Sequence, residues 1–301
     1  MNKRILVFLF LSLIWGSTWL FIKIGLDVLP PLTFAGIRFG LSALILWGIV
    51  LARKSAIPRT WRDWRMIIWA GLTGMTINYA LIFWGEKHIP SGLAAVLQAM
   101  IPAFGLVLAH YFLPNEKITW RKALGVATGI LGVALIFSDQ LKLEGVMALL
   151  GSAALFSSAF FVAICNVIVK ASGRKLDPVV ISAGQMTVGV VPLLLVGTIF
   201  EGNPLQLQWT KGAVLALLYL VLVGSVIAFS LYYWLIRHMD VTKTMLISLL
   251  TPVIAVLLGM VMLGEQLTWR VASGTALILA GVGAIVGEQL ITKYWRASAA
   301  P

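Results

Sequence analysis

The chain contains 301 residues, of which 60% are hydrophobic and 11% are charged, and its formal net charge is +12 at pH 7. Soluble globular domains carry about 25% charged residues, so this composition excludes a soluble globular protein and predicts one that lies within a membrane. The positive charge requires no nucleic-acid partner, because contact with anionic membrane lipids accounts for it.

Ten apolar segments are long enough to cross a membrane, whose hydrocarbon core needs about 20 helical residues. In chain order they are residues 5–25, 32–51, 66–84, 91–113, 121–138, 145–169, 178–200, 212–235, 242–263 and 271–291. The predicted fold is therefore an all-α integral membrane protein with ten transmembrane helices. The loops between these helices are short, so we expect no soluble domain.

The second half of the chain repeats the first. Residues 81–113 align with 231–263, and after a one-residue slip residues 116–136 align with 265–285, with ten identities in twenty-one positions. Chance rarely gives such an alignment. Because each copy holds five helices, an odd number, the second copy enters the membrane from the opposite side. Inverted repeats of this kind are typical of secondary transporters.

The loops on the two sides of the predicted helices differ in charge. Seventeen Lys and Arg residues lie on the side of the termini, whereas the other side has four, namely Lys87, Lys142, Lys211 and Arg270. Cytoplasmic loops collect cations. We therefore expect a multi-pass protein of the cytoplasmic membrane, inner or plasma, with both termini in the cytoplasm.

In the first predicted helix Trp15, Trp19 and Lys23 recur every four residues and therefore share one face. A lysine in a membrane helix must pair, face water or reach the membrane surface. We expect this face to line a substrate site in which the tryptophan rings stack on the solute. Core packing of the tryptophans and a helix-end position for Lys23 are the alternatives.

Arg38 lies seven residues after Pro31 in the second predicted helix, at a depth of about 10 Å. We expect its guanidinium to bind an anionic or carboxylate group of the solute. The alternative is a structural role in which it pairs with Asp27 or binds backbone carbonyls across the outer gate. Its counterpart in the repeat is Gln185, which follows Pro178 by the same distance, so Gln185 is a second candidate for substrate binding.

Pro102 and Pro252 occupy the same position in the fourth and ninth predicted helices. A proline cannot donate the helical hydrogen bond, so the carbonyls of Gln98 and Ser248 lose their helical partners. Corresponding breaks in two halves indicate a transport site. We expect hinges at both prolines, and we expect Gln98 and Ser248 to border a central cavity. A packed kink is the alternative.

Other polar side chains within the spans either line this cavity or form hydrogen bonds between helices. Those assigned to the substrate site are Asn78, Ser158 and Tyr232. No Asp or Glu lies in the middle of a predicted span, so the sequence identifies no acid for proton exchange. The glycines of the fifth and tenth helices predict close-packed surfaces that either scaffold the bundle or form a homodimer.

Three short segments, the mid-helix prolines and the glycine-rich fifth and tenth helices carry a family resemblance. The segments are 14–19 (IWGSTW), 37–39 (IRF) and 263–268 (LGEQLT). Together they resemble the drug/metabolite transporter superfamily in its ten-helix EamA branch. The resemblance covers nearly the whole chain and implies two EamA units, at 5–137 and 148–286. It also implies a secondary carrier, often an exporter of amino acids or other small metabolites.

The predicted function is secondary transport, with export as the expected direction, through a central cavity that opens alternately to the two sides. A lipid flippase or membrane scaffold is the alternative, since a basic cavity could accept a lipid headgroup. An enzyme is not expected, because the spans contain no nucleophile with its base. Three histidines and Cys165 lack metal-ligand spacing, so we expect neither metal nor cofactor. The expected partners are a small-molecule solute and membrane lipids.

Overall fold

The computed structural model describes residues 3–89, 91–138, 145–173, 175–263 and 268–298. Within these ranges the protein is helical and contains no strand, which confirms the predicted all-α fold class. The helices in chain order are α1 (Lys3–Leu26), α2 (Pro31–Ala52), α3 (Trp61–Gly71), π1 (Leu72–Ile77), α4 (Asn78–Glu86), α5 (Ser91–Gln98), α6 (Ile101–Phe112), α7 (Trp120–Ile136), α8 (Gly145–Ser172), α9 (Pro178–Glu201), a 3₁₀ turn (Pro204–Gln206), α10 (Lys211–Val221), π2 (Leu222–Ile227), α11 (Ala228–His238), α12 (Val241–Met245), α13 (Ile247–Leu263) and α14 (Trp269–Ser298).

Eight helical segments in the described ranges are long and apolar enough to cross a membrane. They comprise α1, α2, the continuous rod α3–π1–α4, the α5–α6 pair, α8, α9, the rod α10–π2–α11 and the first part of α14. The other two predicted spans correspond to α7, which has 17 residues, and to α12 with α13. Each copy therefore contains five helical segments in the predicted order.

The two copies are joined by antiparallel packing of α2 on α9. At one end the Glu201 carboxylate accepts hydrogen bonds from the backbone N–H groups of Leu32 and Thr33, each at 2.8 Å. At the other end Asp177, which caps α9, accepts a hydrogen bond from Ser55 Oγ at 3.1 Å. Each acid stabilises a helix start whose N–H groups lack helical partners. Antiparallel equivalent helices are what an inverted repeat requires.

The glycine-rich helices α7 and α14 also pack antiparallel to each other. A Cβ atom on Gly132 would lie 2.6 Å from the carbonyl oxygen of Gly274, and one on Gly125 would lie 2.8 Å from that of Gly281. The glycines thus let the two backbones approach closely. These contacts within the chain agree with the predicted scaffold, and the homodimer stays a prediction.

Replacing Gly132 by alanine is expected to destabilise the protein by about 1–3 kcal/mol, because the new methyl group overlaps a backbone carbonyl on α14. The measurement is the Tm of the purified protein in detergent. Gly48→Ala is the matched control, since a Cβ atom at that helical position meets no atom within 4 Å. Equal Tm values for the two variants would contradict a tight contact between α7 and α14.

The fourth and ninth predicted helices are both interrupted, but at different places. In the first copy α5 ends at Gln98 and α6 begins at Ile101, so the break lies directly before Pro102, as predicted. In the second copy α12 ends at Met245, and Pro252 lies inside α13. The prediction of a break at the second proline is therefore wrong, and the second break lies earlier in the chain.

A hydroxyl group explains why α13 continues through its proline. Pro252 has no N–H for the carbonyl of Ser248, but Thr251 Oγ1 donates a hydrogen bond to this carbonyl at 3.1 Å. In the first copy Ile101 occupies the position of Thr251 and has no hydroxyl group. Pro102 leaves the carbonyl of Gln98 without its helical donor, and Ile101 cannot supply a hydroxyl group in its place. The helix of the first copy is interrupted at this point.

Replacing Thr251 by valine is expected to lower the stability of the protein by about 1 kcal/mol, because the carbonyl of Ser248 then lacks its hydrogen bond. Thr251→Ser keeps the hydroxyl group and is expected to keep most of the stability. The Tm of both purified variants in detergent gives the comparison. An equal loss in the two variants would attribute the effect to side-chain packing and contradict the role of the hydroxyl group.

Two π-helical turns occur at equivalent places in the two copies. The turn π1 contains the buried Gly74, and π2 contains the buried Gly224 at the matching position. Turns of this kind are rare and often lie at functional sites. The turn π1 lies in the rod α3–π1–α4, and π2 lies in the rod α10–π2–α11. Both turns contact the interior between the two copies.

Candidate functional site

A cavity of about 140 Å³ lies between the two copies. Helices of both copies surround it, namely α1, α2, π1, α4, α5, α6, α8, α11, α12 and α13. Seven predicted site residues line it: Trp15, Trp19, Arg38, Asn78, Gln98, Tyr232 and Ser248. The cavity is therefore bordered by the helix break of the first copy and by a π turn, where the backbone departs from regular α geometry.

Arg38 extends from α2 toward π2 and is only 2% exposed. Its Nε donates a hydrogen bond to Ser225 Oγ at 2.9 Å, and its Nη2 donates one to the carbonyl of Gly224 at 3.2 Å. Within the described residues Nη1 has no partner. The predicted pairing with Asp27 does not occur, because the guanidinium reaches a carbonyl in the middle of the second rod instead.

Two aromatic rings and a glycine hold the guanidinium in place. Its Cζ lies 5.1 Å from the ring centroid of Phe39 and 5.5 Å from that of Tyr79, distances at which a ring face attracts a cation. A Cβ atom at Gly224 would lie 3.4 Å from Nη2 of Arg38. The glycine in π2 thus provides space for the guanidinium and presents its carbonyl to it.

Aromatic rings form the wall of the cavity next to Arg38. The ring centroid of Trp15 lies 4.8 Å from that of Tyr232 and 5.6 Å from that of Phe229. Phe229 in turn lies 6.5 Å from Tyr79. The two alternatives for Trp15, packing and lining, are therefore compatible, since the ring does both. Phe229 and Tyr79 also line the cavity, although their apolar spans gave no signal that distinguished them.

Three buried polar atoms of the cavity have no hydrogen-bond partner in the described part of the chain. They are Arg38 Nη1, Asn78 Oδ1 and Asn166 Nδ2. Asn78 uses its Nδ2 to donate to the carbonyl of Gly74 at 3.2 Å, which leaves its oxygen available. A buried polar group without a partner costs about 1–3 kcal/mol. A solute that supplies these partners would recover that free energy on binding.

Three predicted site residues do not line the cavity in the described structure. Ser158 is buried beside it, and its Oγ accepts a hydrogen bond from Gln98 Nε2 at 2.6 Å. Gln185 is buried and accepts a hydrogen bond from the hydroxyl group of Tyr233. Lys23 is exposed near the end of α1. Ser158 and Gln185 thus contact residues that line the cavity rather than the cavity itself.

A buried carboxylate fixes the helix at the end of the cavity nearest the termini. Glu116 is 3% exposed and accepts hydrogen bonds from the backbone N–H groups of Val241 at 2.9 Å and Thr242 at 3.3 Å, at the start of α12. Lys170 Nζ lies 3.8 Å from Glu116 Oε1 and donates to the carbonyl of Ile236 at 2.8 Å. These contacts join the loop before α7, the end of α8 and the end of α11.

Further charged side chains lie close to the Glu116 carboxylate. Burial raises the pKa of Glu116 above its ordinary value, whereas the two N–H donors and Lys170 act in the opposite direction. Next to it, the Asp240 carboxylate lies 3.4 Å from Lys243 Nζ and 4.0 Å from Lys122 Nζ. No role was predicted for Glu116, although Glu265 occupies the same position in the second copy and this identity was a usable signal.

Comparisons with known proteins agree with this arrangement. The sequence profile of the EamA-like transporter family matches residues 2–138 and 149–287. The transporter YoaV of Bacillus subtilis (strain 168), named as uncharacterized, is 29% identical over 283 residues, which cover 94% of this chain and 96% of that protein. The inner membrane transporter YedA of Escherichia coli (strain K12), also named as uncharacterized, is 31% identical over 272 residues, which cover 86% of this chain and 82% of that protein.

A further relative and a solved structure extend the comparison. An Escherichia coli (strain K12) protein named "Probable amino-acid metabolite efflux pump" is 27% identical over 283 residues, which cover 91% of each chain. A crystal structure with 19% sequence identity matches 96% of this chain and 99% of its own chain with a TM-score of 0.80, which shows a shared fold. Because the family profile matches nearly the whole chain in two stretches, the chain belongs to the EamA-like transporter family.

Proposed function

We propose that this membrane transporter is a secondary carrier that exports small organic metabolites, such as amino acids, by alternating access to the central cavity. The observation that carries the proposal is the free Nη1 of Arg38 in a cavity between two inverted copies. A site between repeats is how inverted-repeat carriers expose one site to the two sides in turn. The name of the Escherichia coli relative supports both the direction and the solute class.

The charges of the loops support one orientation of the cavity in the membrane. The excess of Lys and Arg on the side of the termini supports a cytoplasmic position for both termini. In this orientation the contacts of Glu116 with α12 close the cavity toward the cytoplasm. Loading of an exported solute then requires that α12 separates from Glu116, and the contacts re-form when the solute leaves on the other side.

The proposed hinges of this movement are Pro102 and Pro252, each with the helix break beside or before it. The gap between α5 and α6 lets α5 tilt without breaking regular helical hydrogen bonds. In the second copy Leu246 separates α12 from α13. The side-chain hydrogen bond from Thr251 to the carbonyl of Ser248 can break and re-form during bending, since it replaces a backbone bond that Pro252 cannot make.

The size of the cavity favours a small solute over a lipid. A protein cavity of about 150 Å³ holds one benzene molecule, and the cavity of this protein has a volume of about 140 Å³. A phospholipid headgroup with its attached glycerol needs a larger space. Lipid scrambling by the reconstituted protein, without transport of any soluble metabolite, would instead support the flippase alternative.

Uptake of a pool of radiolabelled amino acids and small metabolites into proteoliposomes tests the proposed function. The assay is run with and without an imposed proton gradient, and liposomes without protein are the control. We expect saturable uptake that one solute class competes. An increase with the gradient would identify proton coupling, and equal uptake would identify facilitated movement. No saturable uptake of any solute under either condition would contradict the proposed function.

A further inference from the structure

The described lining of the cavity has a positive charge and no negative charge. Among the described residues that line it, Arg38 is the charged one, and none carries a carboxylate. The hydrogen-bond acceptors of its guanidinium, Ser225 Oγ and the carbonyl of Gly224, are both neutral. A buried charge is costly unless an opposite charge pairs with it. The described cavity therefore lacks one negative charge, which a solute can supply.

The enclosed polar atoms of the lining that lack a partner include two donors. Arg38 Nη1 and Asn166 Nδ2 are N–H donors, and Asn78 Oδ1 is an acceptor. A carboxylate accepts hydrogen bonds and donates none, whereas an ammonium group donates three and accepts none. An α-ammonium group would also lie beside the guanidinium charge. The guanidinium charge and the two N–H donors therefore favour a carboxylate over an ammonium group.

The remaining surface of the cavity matches one aromatic ring. Trp15, Phe229 and Tyr232 form a continuous aromatic wall, with centroid distances of 4.8 Å and 5.6 Å from Trp15 to the other two. Aromatic rings prefer offset or edge-to-face contacts with one another. A volume of about 140 Å³ is close to that of a protein cavity that holds one benzene molecule, so it matches one ring.

We propose that the substrates of this cavity are small organic monoanions with a single aromatic ring and no ammonium group. The carboxylate binds the free N–H groups of Arg38 and Asn166, and the ring packs against Trp15, Phe229 and Tyr232. This inference rests on the proposed transport function. It narrows the solute class from small organic metabolites to aromatic acids, and it replaces the amino acids that were given there as an example.

Three probes that share one ring test this charge preference in direct binding to the purified protein. Hydrocinnamate is phenylalanine without its amino group, and phenethylamine is phenylalanine without its carboxyl group. In isothermal titration calorimetry at neutral pH we expect hydrocinnamate to bind at least about tenfold more tightly than phenylalanine. We expect phenethylamine not to bind. Equal or tighter binding of phenylalanine would overturn the inference, and so would the absence of binding by all three probes.

Two variants locate the anion in the cavity. Arg38→Met is expected to weaken hydrocinnamate binding by about tenfold or more, and Asn166→Leu by a smaller factor. The second variant keeps the test valid if the first does not fold, as judged by its Tm. Lys211→Ala removes an exposed cation at the start of α10 and is the control, with unchanged affinity expected. Unchanged affinity in the folded cavity variants would place the anion elsewhere and overturn the inference.

The binding results and the uptake assay separate this inference from the proposed function. Saturable uptake of an amino acid, together with tighter binding of phenylalanine than of hydrocinnamate, overturns the anion inference and leaves the transport proposal intact. Tight binding of hydrocinnamate without saturable uptake of any solute would contradict transport, and it would support an anion site in the cavity.

Discussion

Transport by the Arg38→Ala variant is expected to be about 10- to 100-fold lower than that of the unchanged protein. Hydrogen bonds to a charged group are worth about 1.5–3 kcal/mol, and the variant removes the free Nη1 donor that the cavity offers to a solute. The protein is expected to remain folded, because water in the cavity can reach Ser225 and the carbonyl of Gly224 once the guanidinium is removed. Initial uptake rates in proteoliposomes measure the effect.

Lys211→Ala is the matched control for this variant. Lys211 is an exposed cation at the start of α10, so its loss changes the net charge equally without altering the cavity. The Tm and the amount of protein in the membrane show whether both variants fold. Uptake rates of Arg38→Ala that equal those of Lys211→Ala would remove Arg38 from the substrate site.

The Glu116→Ala variant is expected to open the end of the cavity nearest the termini. The change removes the acceptor for the N–H groups of Val241 and Thr242 and the ion pair with Lys170. Hydrogen bonds to a charged group are worth about 1.5–3 kcal/mol, so the balance between closed and open conformations should shift by roughly tenfold or more. The same substitution should lower the Tm, since a helix start loses its cap.

A cysteine in the cavity reports on this opening. Ser248→Cys in a Cys165→Ala background places the one thiol on the cavity wall, and a membrane-impermeant maleimide is added on the side of the termini. We expect labelling to be about tenfold faster with Glu116→Ala. Asp63→Ala is the control, because Asp63 forms its hydrogen bonds with Thr60 in its own helical turn. Equal labelling rates in the two variants would contradict a closing role for Glu116.

The membrane spans could be predicted from the sequence because their length is set by the bilayer rather than by packing. The ends of the helices could not be predicted from the sequence in this way. The third span was predicted to begin at residue 66, whereas α3 begins at Trp61, because Thr60 accepts a hydrogen bond from the N–H of Asp63. The break before Pro102 follows from a missing N–H group. The continuity of α13 depends on the hydrogen bond from Thr251 Oγ1 to the carbonyl of Ser248. A sequence pattern does not predict whether this hydrogen bond forms.

The site was partly predictable for a similar reason. The depth of Arg38 follows from its position in a span, but its partners lie in a π turn for which no residue pattern exists. Ser158 was predicted to line the cavity as a polar residue within a span, but its Oγ contacts Gln98 Nε2 instead. The contact of Glu116 with the start of α12 could not be predicted, because its N–H partner on Val241 lies 125 residues away in the chain.

We propose that the transported solute binds in the cavity at Arg38. The most direct test of this proposal is protection of the cysteine at position 248 from maleimide by a transported solute, with Arg38 present and with Arg38→Ala. We predict that the solute slows labelling when Arg38 is present and has no effect in the variant. Labelling that a transported solute leaves unchanged in the protein with Arg38 would contradict the account.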